Sequence, residues 1–257
     1  GTYGGGAFVS INNGSSWTPL ASGLTPTQIF IFAINGTNVY AGTNNGVFLS
    51  TDNGTNWTTA NTGITTELVT ALLITGSDIY AGTQGSGIQK SSDNGATWAA
   101  ANTGIVNMDI SSFAKIGNNI FAGTQGGQAV SVSTDNGATW AAANTGIVSP
   151  FYGVMDLAVI DNNLFATNYL GLVYLTTDNG SNWTDVSTGL PTTNGRSFGI
   201  SGSNIFLGTG DAGIWSRGLS EMGIVNLNKI ETVGNNISIY PNPSSGKIYF
   251  NSNFNEV

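Results

Sequence analysis

Apolar and polar positions along the chain recur in one fixed order. A run that is apolar on both faces opens each unit, as in Ile29–Ile34 or Val69–Ile74. A second short run follows, Ile79–Thr83 in the clearest copy, then a third, Gly87–Lys90, then a polar octapeptide that ends in Trp. Period-two strands separated by Gly, Asn and Asp signals predict four short antiparallel strands per unit, the fourth running through Trp98. An opening strand without alternation must be covered on both faces, as when neighbouring sheets sandwich it. The predicted fold class is therefore all-β, a β-propeller of repeated four-stranded antiparallel blades.

The octapeptide sets the period. It runs from Ser50 to Trp57, Ser91 to Trp98, Ser133 to Trp140 and Thr176 to Trp183, with a weaker copy from Ser10 to Trp17 in which Asn12 stands in the Asp place. The five Trp are separated by 40, 41, 42 and 43 residues, the spacing of a four-stranded blade. Within it, Asn-Gly supplies the positive φ angles of a tight turn, centred on Gly14, Gly54, Gly95, Gly137 and Gly180. Asp52, Asp93, Asp135 and Asp178 are placed to accept hydrogen bonds from turn amides. Trp17, Trp57, Trp98, Trp140 and Trp183 give each blade a large apolar anchor for the seam to its neighbour.

Four units are complete. Two strands stand before them, and three follow: Arg196–Ile200, Ile205–Thr209 and Gly213–Arg217. About five or six blades are expected, in an incomplete ring or in one closed by a composite of the end fragments. The opening Gly1-Thr-Tyr-Gly-Gly-Gly reads as the middle of a repeat, expected at a processed or fragment boundary.

Composition narrows the chemistry. Only 8% of the 257 residues are charged and the six bases are scattered singly, so no basic patch faces a nucleic acid, and no apolar stretch is long enough to span a membrane. The chain has no Cys and no His, which removes disulfides, thiolate or imidazole metal sites, and His-based catalytic triads. No metal site and no cofactor is expected. Catalysis would have to run on carboxylates and Tyr.

The Ser/Thr-x-Asp-x-Gly-x-x-Trp pattern resembles the Asp-box, or BNR repeat, of sialidases, xyloglucanases and sortilin-type receptors, over residues 1–219. The resemblance implies a propeller in which these Asp residues brace turns away from the active site. A sialidase-like site would call for three Arg, and only Arg196 and Arg217 are present. A xyloglucanase-like mechanism would need only two Asp.

After a segment expected as a linker, 220–235, the chain changes character. Residues 236–257 carry Tyr240-Pro241-Asn242-Pro243, a Ser-Ser-Gly246 turn and a further apolar strand. The two prolines stop one strand and Gly246 turns the chain into the next. This resembles the opening of the type IX secretion sorting domain of Bacteroidetes, which implies secretion machinery as a partner of the native protein and a secreted or cell-surface location. The family's domain is longer than the residues that remain.

Function is expected in the loops where the repeats disagree, on the face opposite the octapeptide turns. Phe151, Tyr152 and Tyr169, with Arg196, could form a platform for a sugar ring. Glu67, Asp109 and Asp211 are the carboxylates from which a hydrolase pair could be drawn. The leading expectation is an exported non-catalytic propeller used for adhesion, glycan binding or assembly, with glycans or surface proteins as partners. A glycoside hydrolase is the alternative, and self-association through open blade edges a further expectation.

Overall fold

The computed structural model describes residues 1–20, 22–64, 68–148, 152–190 and 194–224. The sorting-like segment, including Tyr240, Pro241, Asn242, Pro243 and Gly246, lies outside the described residues, as do Glu67 and Phe151. The described chain is all-β. Four complete antiparallel sheets follow one another, each in simple chain order.

The first complete blade holds β3 (Ile29–Asn35), β4 (Asn38–Thr43), β5 (Gly46–Ser50) and β6 (Thr58–Thr59). The second holds β7 (Val69–Thr75), β8 (Asp78–Thr83), β9 (Ile88–Ser91) and β10 (Ala99–Ala100). The third holds β11 (Ile110–Ile116), β12 (Asn119–Thr124), β13 (Val130–Ser133) and β14 (Ala141–Ala142). The fourth holds β15 (Val154–Ile160), β16 (Asn163–Asn168), β17 (Val173–Thr176) and β18 (Thr184–Asp185). A two-stranded sheet precedes them, β1 (Ala7–Val9) with β2 (Thr18–Leu20), and a three-stranded sheet follows, β19 (Gly195–Ser201), β20 (Asn204–Thr209) and β21 (Ile214–Gly218).

Two expectations need correction. The fourth strand begins after the Trp rather than running through it, because the indole turns out of the sheet into the seam. The end fragments also form separate sheets, and among the described residues they share no strand ladder that would make one composite blade.

Every opening strand carries a β-bulge at the same place: Ile29/Ile31, Val69/Ala71, Ile110/Ser112, Val154/Asp156 and Gly195/Ser197. The bulge adds local twist and bends the strand while the ladder continues beyond it. The core is divided into clusters between consecutive sheets, each rich in Ile, Val, Ala and one aromatic from the second strand. Burial on both faces explains the continuous apolar runs of the opening strands. Among the described residues no helix is long and apolar enough to cross a membrane.

Candidate functional site

The octapeptide is a self-contained turn. Asn53, Asn94, Asn136 and Asn179 take φ of 56–58°, each followed by a Gly at 79–88°. Ser50 Oγ donates to Asp52 Oδ1 at 2.8 Å and accepts from the Gly54 amide at 2.7 Å. Asp52 also accepts from the Asn56 amide and side chain, both at 2.8 Å. Asp93 and Asp135 bind Thr97 and Thr139 in the same way, and Asp178 binds Asn182. Asn12 keeps the bonds to Ser10 and Ser16 without a charge.

These bonds hold the Asp52, Asp93, Asp135 and Asp178 carboxyls at about 2. Their acceptor positions are filled from within their own turns, so the turn-bracing role expected of them accounts for their geometry.

Each turn then locks onto the sheet before it. The indoles of Trp98, Trp140 and Trp183 donate across the seam to the carbonyls of Ala60, Ala101 and Ala143 at 2.7–2.9 Å. Trp57 instead donates to Gly54 within its own turn. From the other side, Tyr40 Oη reaches the Asn94 carbonyl at 3.0 Å and Tyr80 Oη the Asn136 carbonyl at 2.8 Å. Lys90 pairs with Asp78 at 3.0 Å and donates to the Asn136 carbonyl, and Asn136 donates to Asp78. Asp78, Tyr80, Lys90 and Asn136 on this side of the seam are thus partnered with one another.

A second motif, not singled out from sequence, completes the seam. Four residues after Trp57, Trp98, Trp140 and Trp183 stands Asn61-Thr-Gly63, Asn102-Thr-Gly104, Asn144-Thr-Gly146 or Ser187-Thr-Gly189. Asn61 and Asn102 accept the amides of Val47 and Ile88 at 2.7 Å. The carbonyls of Thr62, Thr103 and Thr145 take the backbone amides of Trp98, Trp140 and Trp183 at 2.8–2.9 Å. Its recurrence in step with the Trp was the available signal.

The last seam is sealed by different chemistry. β21 has no octapeptide after it, yet the equivalent acceptors exist on the fourth blade. Arg217 Nη1 donates to the Val186 carbonyl at 2.7 Å and the Thr188 carbonyl at 3.4 Å, the acceptors a Trp would have used. Leu219 opens a 3-10 turn, Leu219–Met222, and is fully buried against Phe165, Phe198 and Ile205 together with Ile224.

The opposite face is where the repeats disagree. Tyr169 lies in the β16–β17 turn and Arg196 at the start of β19, and the structure brings them together, with the guanidinium carbon 5.2 Å from the ring centroid. Tyr152, just ahead of β15, accepts the Tyr169 amide through its carbonyl at 3.4 Å, and both rings are about half exposed, at 49% and 48%. Beside them Asn168, almost fully buried, accepts the amides of Leu170 and Leu172 through Oδ1, both at 3.0 Å. Its Nδ2, with Thr167 Oγ1 and Arg196 Nε, has no hydrogen-bond partner among the described residues. Buried polar atoms of this kind are normally satisfied, so three on two adjoining strands mark an unusual spot.

The proposed carboxylates are not drawn together in this way. Asp109 stands at the entry to β11, its amide bonded to Asn107, while Asp211 is exposed in the β20–β21 turn two sheets on. Among the described residues no group of three His, Cys, Asp or Glu could hold a metal ion.

Asp156 is a further group the sequence reading passed over. It sits at the β15 bulge and accepts the amide of Leu157 at 2.9 Å and that of Phe198, on β19, at 2.7 Å. Burial pushes its carboxyl up to about 7 against the effect of those bonds.

The two kinds of Asp act in opposite directions on stability. The turn Asp residues, held low, stabilise the fold above about pH 4, the value of an unfolded Asp, and lose that contribution as pH falls towards 2. Asp156, held high, leaves the fold unpenalised below about pH 4 and costs stability as pH rises through 7. Urea midpoints from pH 2 to 9 should therefore peak in mild acid, and Asp156→Asn should flatten only the decline from 4 to 7. An unchanged decline in the variant would show that Asp156 is not its source.

Comparison with known proteins agrees with this architecture. Among curated proteins none matches the sequence significantly. Solved structures share the fold: an ancestral GH74 enzyme at 20% identity and TM-score 0.67, covering 84% of this chain and 34% of that one. The extracellular domain of a protein assigned as a one-component system of B. thetaiotaomicron matches at 16% identity and TM-score 0.67, covering 82% and 29%. YCF48 bound to D1 peptide matches at 19% and 0.62, covering 86% and 72%. The chain thus spans about a third of the length of the GH74 enzyme, and at these identities the likeness is one of fold. The sequence model of the DUF6242 beta propeller domain matches residues 68–204, more than half of the chain, and with the repeated sheets above it places this protein in that family.

Proposed function

We propose that this propeller is a non-catalytic binding module of an exported protein, taking a glycan on the face formed by the β16–β17 turn and the start of β19. The observation that carries it is the Arg196–Tyr169 stack beside the unpartnered Asn168 Nδ2. A half-exposed aromatic ring offers a stacking surface for a sugar, and fixed donors at its edge select hydroxyl or carboxylate oxygens. Tyr152 widens the platform.

The binding reading is favoured over hydrolysis by the disposition of acids. The four turn Asp residues are committed to their own turns, and Asp109 and Asp211 stand two sheets apart. Export is supported by the Tyr240–Gly246 resemblance to a sorting domain and by fold likeness to an extracellular domain.

Calorimetric titration with neutral and acidic polysaccharides tests the proposal. Binding of at least one is expected, with Tyr169→Ala and Arg196→Ala each weakening it about tenfold or more, since a stacked or charge-assisted contact contributes roughly 1–3 kcal/mol. Thermal midpoints should stay close to the parent. Release of reducing sugar at enzymatic rates, lost on replacing Asp109 or Asp211, would instead establish the glycosidase reading.

A further inference from the structure

In the first three complete blades the seam to the next blade repeats one arrangement. A bulge residue of the opening strand pairs with a Gly of the second strand: Ile31 with Gly42, Ala71 with Gly82 and Ser112 with Gly123. A Cβ on each Gly would run into the opening strand of the next blade, at Val69, Ile110 and Val154, so the missing side chain makes room for an aliphatic one.

The fourth blade reverses the exchange. Asp156 pairs with Thr167, which stands where the other blades have Gly, and the next strand carries Gly195 where they have Val69, Ile110 and Val154. A Cβ on Gly195 would overlap Thr167 Oγ1. Residues directly opposite in an antiparallel pair share a face, so Thr167 and Asp156 both turn towards β19, where Asp156 takes the Phe198 amide. This half of the seam is polar: Thr167 Oγ1, Asn168 Nδ2 and Arg196 Nε are buried without partners among the described residues, and Asp156 is buried in the same seam. The other half is apolar, with Ile160, Phe165, Leu175, Phe198 and Ile205 in one cluster.

No opposite charge holds the Asp156 carboxylate. On the strands packed against β15 the charged residues are Arg196 on β19, stacked on Tyr169, and Lys115, exposed on β11, while β12 and β16 carry none. The Leu157 and Phe198 amides reach Asp156, and burial outweighs them, setting its carboxyl at about 7 against about 4 for an Asp in water. Parting β16 from β19 would give water to an ionised Asp156 and to the three unpartnered atoms at once.

We infer that this polar half of the seam is a gate closed by acid: protonated Asp156 keeps β19 docked on β16, and its ionisation lets the strands part around Thr167 while the apolar half holds as the hinge. Because the closed form holds the proton more tightly than the open one, opening is least favoured below about pH 4. It grows easier by roughly fivefold to tenfold per pH unit between about pH 5 and 7, and levels off above. Tyr169 and Arg196 stand on opposite sides of the gate, so the glycan site proposed above is whole only when it is closed, and affinity there scales with the closed fraction. That consequence rests on the glycan reading; the gate itself does not.

The chain has no Cys, so one introduced at the seam reports its opening through reaction with a pyridyl disulfide. Thr167→Cys removes a hydroxyl that has no partner, and Ser112→Cys does the same at the preceding seam, where Ser stands in place of the carboxylate. With rates divided by those of a free model thiol at each pH, Thr167→Cys should react about tenfold or more faster than Ser112→Cys at pH 7, and should show the rise between pH 5 and 7. Asp156→Asn and Asp156→Ser should each remove that rise. The Ser variant, built on the residue of the preceding blade, decides the matter if Asn misfolds by turning a donor towards the Phe198 amide. Equal rates at the two Cys would mean that the chain opens only as a whole, and would overturn the gate. So would a rise that persists when Asp156 is replaced. No ligand enters this experiment, so its failure leaves the glycan reading standing, and a failure of every polysaccharide to bind leaves the gate standing.

Discussion

Gly104→Ala should disrupt the seam between the second and third blades, lowering stability by about 3–5 kcal/mol. Gly104 has φ +91°, a region that a side chain enters at a cost of roughly 1–3 kcal/mol. An added Cβ would also overlap the carbonyl oxygen of Trp140, whose own amide is bonded to Thr103 next door. The overlap cannot be relieved by a rotamer change, because both partners are backbone; the strand after Trp140 must move, and the Trp140–Ala101 bond moves with it. Gly189→Ala separates the two terms. It has φ +87° at the same place in its motif, yet among the described residues nothing lies within 4 Å of an added Cβ, because no Trp carbonyl meets it across the last seam. It should cost only the conformational part. In a chain of this size a thermal midpoint about 6–20 °C below the parent is expected for Gly104→Ala, and a smaller drop for Gly189→Ala. Equal drops would mean that the seam tolerates the clash.

The same comparison shows why some of this architecture was legible in the sequence and some was not. The octapeptide bonds run mostly between residues two to four apart, so the motif that makes them is contiguous and its role could be read from Ser, Asp, Asn-Gly and spacing alone. The Asn-Thr-Gly motif is equally regular, but its meaning lies in a backbone amide 37 residues away, that of Trp140 donating to the Thr103 carbonyl. A short string whose partner is on the next sheet looks like an ordinary loop.

Arg217 was harder still. A repeat search looks for Trp, and here a guanidinium on the strand itself reaches the same two carbonyls, while Leu219 fills the apolar space from a 3-10 turn. Function is conserved across the seams while residue type and backbone path change, so periodicity ends one seam before the packing does. The candidate site was half visible for a similar reason. Tyr169 and Arg196 were each notable as departures from the repeat, but their stacking joins neighbouring units across 27 residues. Asn168 and Thr167 looked like a variant of the Gly-Thr ending of β8 and β12, and only burial without partners set them apart. Asp156 was one acid in an apolar strand, its bonding to Phe198 invisible without the neighbouring sheet.

Trp140→Ala should cost about 3–5 kcal/mol, while Trp17→Ala in the dilute chain should cost less than about 0.5 kcal/mol. The two residues end copies of the same octapeptide, the Trp17 copy with Asn12 in the Asp place, and differ most in how they are covered. Trp140 is 5% exposed among Ile88, Ile105 and Ile110, and its indole bonds Ala101 across the seam. Removing it leaves a cavity and an orphaned carbonyl, penalties that add. Trp140→Phe keeps much of the volume and should recover most of the loss, leaving a deficit of about 1 kcal/mol from the missing N–H. Trp17 is 61% exposed, so its truncation removes mostly surface. Urea titrations of the four proteins at low micromolar concentration decide the matter, with equal midpoints for Trp17→Ala and the parent as the expected control. If Trp17→Ala fell as far as Trp140→Ala under those conditions, the N-terminal sheet would already be covered within a single chain, and the seam would run once more around the molecule than the five sheet-to-sheet contacts described.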